Sequence, residues 1–339
     1  MTVWDDLNAR ARGLSTHLLG RAALEGLARA PDLPAIAAEL ARRGYPIEDS
    51  TRASAAALEL AARRAIAGRL RTLARWAGER IETLAVILED EDRRSITALV
   101  RGAVQSAPAE LRLSGLVPTP ELPERALEEL SRQPSPRAVA SLLVAWRHPL
   151  GQALLPHATQ PEPDLLLIET ALSRAFTGRA LAAARRAGRR GLLFRYVQRV
   201  IDIDNAYTAL VLSEEQDSQV ADHWLPGGRS ITVTLAQRAA ATREFAAASR
   251  LLASGFATTR LAPVFSNPEG NPAGLELAVL AALIAELREL ARTEPLSAAP
   301  LLAYALQLRA EALDIRRVIW GVCLGAPTKS LVEGLVTTS

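Results

Sequence analysis

A chain of 339 residues is long enough for two or three units with a substantial buried core. Apolar residues make up 49% but aromatics only 4%. The apolar content is therefore mainly Ala and Leu, strong helix formers, and rare β-branched runs argue against sheet. The 40 basic and 37 acidic residues nearly cancel and mix along the chain, which argues against a nucleic-acid footprint. Lys329 is the only lysine. Arg everywhere else suits phosphate contacts or broad polar interfaces.

In chain order, Met1 to Asp6 is acidic and lacks the apolar run of a signal peptide. Ala62, Ile66, Leu70 and Leu73 form the first apolar helical stripe. Ser106 to Pro123 carries three prolines and reads as a loop. Thr119-Pro120 and Ser135-Pro136 each place a capping side chain before a Pro suited to the first helical position. Pro156 to Pro163 is a second break, and Leu165, Ile168, Leu172 and Phe176 make the next stripe. His223 to Arg229 is a third break. The strand-like run Ser230 to Leu235 precedes helical sequence and reads as a turn or helix start. After a fourth break, Ala262 to Gly274, the pair Asn271-Pro272 caps a helix striped by Leu275, Val279, Leu283, Leu287 and Leu290.

No apolar stretch reaches the roughly 18 residues needed to span a bilayer. Cys323 is the only cysteine, so no internal disulfide forms, and a reducing, cytoplasmic setting is expected. Inside an apolar helix it reads as a small buried hydrophobe.

A repeat organises the chain. Segments opening at Glu91, Asp202 and Glu311 place Thr-Ala-Leu, Thr-Ala-Leu and Arg-Val-Ile in register, with openings 111 and 109 residues apart. Upstream lie Leu58-Glu59, Ile168-Glu169 and Leu275-Glu276, the Glu residues 110 and 107 apart. Further upstream, Leu27-Ala28-Arg29, Leu130-Ser131-Arg132 and Leu235-Ala236-Gln237 keep a similar order. The implied units are residues 1–113, 114–222 and 223–339. Three related units are expected to pack with approximate rotational symmetry, by analogy with closed oligomers, and to enclose a central opening.

Candidate chemistry is thin. Asp202 with Asp204, or Glu89 to Asp92, raises the idea of magnesium-bound diphosphate chemistry, but a matched pair of Asp-Asp-x-x-Asp motifs is missing. Acids at a helix start, favoured by the macrodipole, account for them better. Gly325 to Ser330 resembles a phosphate loop, yet Thr328 and Cys323 stand where that loop needs Gly. A helix ended by Gly325 and another capped by Thr328 is the better account. His17, His148, His157 and His223 show no metal spacing and read as surface or packing residues. Glu59, Glu169 and Glu276 are the strongest candidates. A Glu in an apolar helix needs a cation or hydrogen bonds if buried, and Arg316 and Arg317 are candidate partners for Glu276. The expected role is a fixing contact between helices, with no catalytic residue, cofactor or metal. A helical-repeat interaction scaffold and, more remotely, a helical diphosphate-processing enzyme are the competing readings.

Several stretches resemble one family. Asp6-Leu7-Asn8-Ala9-Arg10-Ala11-Arg12 with Leu18-Leu19 is similar to the N-terminal helix of the V-type ATPase central-stalk subunit, called C in archaeal and bacterial enzymes and d in eukaryotic ones. Leu225-Pro226-Gly227-Gly228 resembles its mid-chain turn. Arg309-Ala310-Glu311, Asp314 to Ile319, Gly321 and Leu324-Gly325 resemble its C-terminal signature. Arg94 and Asp314 depart from Asn205 at one repeat position. The resemblance implies an all-α funnel of three similar helical domains with pseudo-threefold symmetry. It implies a non-catalytic adaptor between shaft subunits of the D and F type and the membrane proteolipid ring. Such an adaptor couples ATP turnover to ion transport at the cytoplasmic face, with no membrane span of its own and no nucleic acid.

Overall fold

The computed structural model describes residues 4–214, 219–268 and 272–337, with the backbone alone at residue 79. Among these residues every regular element is helical, in eighteen α-helices and three 3-10 turns, so the class is all-α. Six helices are long: Ala55–Ala77, Ile81–Val104, Leu165–Ala187, Leu192–Leu212, Pro272–Thr293 and Ala299–Cys323. They follow one another in three pairs. Shorter helices precede each pair: Arg21–Ala28 and Leu33–Arg42, then Glu124–Ser131, Pro136–Ala145 and Gly151–Ala158, then Val233–Ala240, Phe245–Ala253 and Ala262–Ser266. The stripes of the sequence fall inside the long helices. Ile66, Leu70, Leu73, Ile168, Leu172, Phe176, Leu275, Val279 and Leu287 are all buried.

Local chemistry sets the boundaries. Ser54, Ser135, Asp164 and Thr232 each accept a hydrogen bond from the backbone N–H three residues on, which starts their helices. The Ser230–Leu235 run is thus a helix start, as its chemistry implies. Thr119-Pro120 starts no helix. Its hydroxyl accepts from Leu122 N–H in a turn, and the helix begins at Glu124. Pro123 is the reason: in a helix begun at Pro120 it would lack the N–H of the first intrahelical bond. Asn271 lies outside the described residues, although Pro272 does open its helix. Two expected loops hold short helices, Ala109–Leu113 and Ala262–Ser266, and Pro156 sits inside Gly151–Ala158 rather than ending it. Gly325 turns the chain at φ 68° after Ala299–Cys323. Thr328 is the first helical residue of Thr328–Glu333 and makes no side-chain cap. Cys323 is exposed, not buried, because it is the last residue of its helix. In the upstream motif, Leu27 and Leu130 lie near the ends of their helices but Leu235 lies near the start of its own.

The chain forms two compact units. One comprises residues 1–84, 113–128 and 287–339. In it Leu24, Leu27, Ile36 and Leu40 close on Leu58 and Ala62 of Ala55–Ala77 and on Ile315, Val318 and Ile319 of Ala299–Cys323. Each large side chain so buried contributes about 1.5–3 kcal/mol of transfer free energy. Asn8 donates to the Pro295 and Ser297 carbonyls at 3.1 and 2.8 Å, tying Asp5–Ser15 to the turn before Ala299–Cys323.

The other unit comprises residues 85–112 and 129–286. Ile203, Ala206 and Leu210 of Leu192–Leu212 pack on Ala236, Ala239, Ala248 and Leu252. Alanine at these contacts lets the helix backbones approach closely. Phe256 and Phe265 stack with centroids 4.8 Å apart, and the Ser249 hydroxyl donates to the Phe265 carbonyl at 2.7 Å. Gly151 lies so near Pro136–Ala145 that an added Cβ would sit 2.9 Å from the Leu143 carbonyl carbon.

Candidate functional site

The chemistry-bearing side chains of this fold are carboxylates buried in helix interiors. A buried carboxylate must be compensated, so its partners reveal its work. Glu59, on Ala55–Ala77, is 6% exposed. It accepts from Gly115 N–H at 2.6 Å, from the Ser114 hydroxyl at 3.1 Å and from the Trp320 indole at 2.6 Å. The Arg316 Nε lies 3.7 Å away. One side chain thereby joins a helix, a loop and the helix Ala299–Cys323. Gly115 has φ 78°, and a Cβ there would press on the Arg316 guanidinium at 2.9 Å.

The other two members of the Glu series differ. Glu169 pairs with Arg101, whose Nη2 donates at 2.7 Å, joining Leu165–Ala187 to Ile81–Val104. Glu276 is exposed and makes no hydrogen bond or ion pair among the described residues. Arg316 serves Glu59 instead of Glu276, and Arg317 lies against Gly334, where an added Cβ would strike its guanidinium. The structure thus brings together Glu59 and Arg316, and places Glu169, Glu276 and Arg317 away from that pair.

A second set of carboxylates grips loops. Glu311, 1% exposed, accepts from Leu19 N–H at 2.6 Å and the Tyr45 hydroxyl at 2.8 Å, and pairs with the Arg69 guanidinium. Burial, then the Glu311 charge, pushes the Tyr45 phenol well above its ordinary range. Asp202, also 1% exposed, accepts from the N–H groups of Arg229, Ser230 and Ile231 at 2.9–3.1 Å. Leu19 stands two residues before Arg21–Ala28, and Ile231 two residues before Val233–Ala240. Glu311 and Asp202 therefore hold the same point of approach to two different short-helix sets.

One turn further along, Asn205 both donates to the Leu225 carbonyl and accepts from its N–H, each at 2.9 Å. At the corresponding place Asp314 accepts from Val336 and Thr337 N–H at 2.7 and 2.8 Å. Arg94, the third residue of that series, pairs with Asp90 at 2.9 Å. The Pro226-Gly227-Gly228 turn owes its glycines to this grip. Gly227 has φ 109°, and a Cβ on Gly228 would collide with the Asp202 carboxylate. Burial raises the carboxyls of Asp202 and Asp314 above their ordinary value, against the lowering pull of the N–H groups they accept from.

Arg93 and Arg94 with Asp90 and Asp204 form a third cluster. Arg93 donates to Asp90 at 2.7 Å and to the Ser173 hydroxyl at 2.9 Å, and stands 3.4 Å from Asp204. Burial raises the Asp204 carboxyl, and Arg93 partly offsets it. For Arg93, burial opposes the charge but Asp204 and Asp90 outweigh it, so its basicity rises.

Asp202 and Asp204 belong to the interior of Leu192–Leu212, so the macrodipole account of a helix start does not hold for them. Asp202 accepts from loop N–H groups, whereas Asp204 stands in an ion pair 3.4 Å from Arg93, so the two carboxylates serve different partners. Among the described residues no group of three or more His, Cys, Asp or Glu side chains is placed to hold a metal ion. His148 and His223 are buried. His148 Nδ1 accepts from Leu150 N–H, and His223 shares a hydrogen bond with the Thr170 hydroxyl at 2.8 Å. His17 is exposed and His157 half-buried. What the geometry shows is a set of buried carboxylates, each bonded to groups of other helices and loops.

Among the described residues no helix is long and apolar enough to cross a membrane. Comparison with curated proteins finds no match. Comparison with protein families does: the model described as ATP synthase (C/AC39) subunit matches residues 7–333. A match over nearly the whole chain, on an all-helical fold, shows that the chain belongs to the ATP synthase (C/AC39) subunit family.

Proposed function

We propose that this chain is the non-catalytic central-stalk adaptor of a rotary V-type ATPase or ATP synthase. It receives shaft subunits of the D and F type and seats them on the membrane proteolipid ring, so that rotation couples ATP turnover to ion transport. The observation that carries this reading is the family match across residues 7–333. In this reading residues 1–113, 114–222 and 223–339 are three similar helical domains disposed with pseudo-threefold symmetry as a funnel. The three successive pairs of long helices, each led by short ones, support that division. So does the shared placement of Glu311 and Asp202 ahead of two short-helix sets.

The physics of the interior suits the task. A part that passes torque must resist shear, and close-packed helices pinned by buried carboxylates do so. The adaptor uses no cofactor, carries out no bond chemistry and binds no nucleic acid. It works on the cytoplasmic face of the membrane through the complex rather than by a span of its own.

Co-expression with the shaft subunits and the proteolipid ring tests the reading. The chain is expected to co-purify with both, and ATP-driven ion pumping should disappear when it is omitted. A well-folded preparation that associates with neither partner sinks the proposal and leaves the helical-repeat scaffold in its place.

A further inference from the structure

The most one-sided charge in the molecule sits at the tip of a helical hairpin. From Thr170 to Ile201 the chain carries eight arginines and no acidic residue or lysine. Three of them are spent inside the fold. Arg174 reaches the Asp222 and Trp224 carbonyls, Arg179 pairs with Glu89 at 2.7 Å, and Arg199 lies 3.7 Å from Glu286. Arg186 and Arg195 also have partners. Arg185, Arg189 and Arg190 are exposed and have no acidic partner among the described residues.

They crowd the turn between Leu165–Ala187 and Leu192–Leu212. Gly188 has φ 121°, and its carbonyl accepts from Gly191 N–H at 2.9 Å. Arg185 closes a helix whose C-terminal end welcomes a cation. Arg189 and Arg190 do not share that excuse. They precede the positive end of Leu192–Leu212, whose first turn holds no acid. Among the described residues no acid balances these three charges.

From this we propose that the arginine tip of the Leu165–Leu212 hairpin docks on an anionic phospholipid surface, with Arg185, Arg189 and Arg190 taking headgroup phosphates. The inference rests on the reading of the chain as part of a membrane-bound rotary complex, and adds a direct lipid contact to it. Guanidinium forks pair with phosphate oxygens bidentately and stay charged at any working pH. The other side chains from Ala182 to Gly191 are Ala and Gly, so the tip offers no aromatic or aliphatic anchor of the kind that centres a protein interface. Cations on a small-residue turn suit a fluid charged surface, which asks for charge and reach rather than shape.

The test uses the full chain with phosphatidylcholine vesicles, neutral or carrying graded phosphatidylglycerol, at low salt. Binding is expected to rise with the anionic fraction and to fall with added salt. The triple substitution R185Q/R189Q/R190Q is expected to weaken vesicle binding by about a hundred-fold. The charge-keeping R185K/R189K/R190K should retain most of it. A matched triple at scattered exposed sites, R132Q/R137Q/R238Q, should bind as the unaltered chain does. Circular dichroism melting checks that each variant folds.

Association with shaft and ring subunits is measured in parallel. It should be intact in R185Q/R189Q/R190Q, which separates a failure of lipid docking from a failure of the adaptor reading. The proposal is overturned if the unaltered chain ignores anionic vesicles, or if the tip triple binds them undiminished. Equal weakening by the scattered triple overturns it as well. So does loss of ring or shaft association by the tip triple with vesicle binding preserved, which would make the tip a protein contact.

Discussion

Glu311 accepts the backbone N–H of Leu19 at 2.6 Å across 292 residues of chain. The same carboxylate holds the Tyr45 hydroxyl and the Arg69 guanidinium. Glu311→Ala strands all three donors and is expected to lower unfolding free energy by about 3–5 kcal/mol. Glu311→Gln keeps an acceptor and should lose less. Chemical denaturation of both variants checks this, and equal losses would place the whole effect in the charge rather than in the hydrogen bonds.

The contact between Gly228 and Asp202 predicts strong coupling. Asp202→Ala frees three N–H groups and should cost about 2–3 kcal/mol. Gly228→Ala drives a methyl into the Asp202 carboxylate and should destabilise by a similar amount. Since both break one grip, the double variant should fall well short of the sum. Denaturant midpoints of the four proteins give the coupling directly, and additive losses would show that the loop is held by other contacts.

Asp204 makes stability depend on pH in a defined direction. Its carboxyl is raised above its ordinary value of 3.8 by burial, so the folded state favours the protonated form. That stability is fully present below the unfolded value and is lost as pH rises through the folded one. The facing groups are Arg93, Arg94, Asp90 and Glu276. Asp204→Asn mimics the protonated acid at every pH. Its stability relative to the unaltered chain should therefore improve as pH rises from the unfolded value of 3.8 through the folded one. Urea unfolding over a series of pH values measures the trend, and a difference that worsens with pH contradicts it.

The Trp320 indole reports on Glu59. Its N–H donates to the Glu59 carboxylate at 2.6 Å in a half-buried setting. Glu59→Ala removes the acceptor from Trp320, Ser114 and Gly115 together and should cost about 3 kcal/mol. Trp320 emission should move to longer wavelength as water replaces the carboxylate, seen against a background lacking the other four tryptophans. An unchanged spectrum would mean that the indole finds a new buried partner.

Much of the helical layout is legible in the sequence because it is local. Ser135-Pro136 and the stripes of Ile66 or Leu172 need only neighbours within a few turns. Thr119-Pro120 carries the same signal as Ser135-Pro136 and fails because Pro123 removes the next N–H. The Glu series shows the limit of pattern. Glu59 and Glu169 do join separate elements, but Glu276 shares the spacing and lies exposed. Asp202 and Glu311 are visible as repeat markers, yet their work as loop grips is not, since Leu19 and Ile231 contribute backbone groups that leave no side-chain signature. Cys323 shows the converse: an apolar surrounding sequence does not bury a residue on the last turn of a helix.

The first unit draws on residues 1–84 and 287–339. This has a consequence for biogenesis. A ribosome delivers the N-terminal helices long before Ala299–Cys323, so Leu24, Leu27 and Ile36 emerge with no Ile315, Val318 or Ile319 to cover them. The second unit has all its segments in hand by residue 286 and can condense first. The nascent chain therefore exposes one sticky helical face for most of its synthesis, and chaperone dependence should concentrate there. Ending the chain before Ala299 should release a product whose second unit is protease-resistant while its N-terminus is digested.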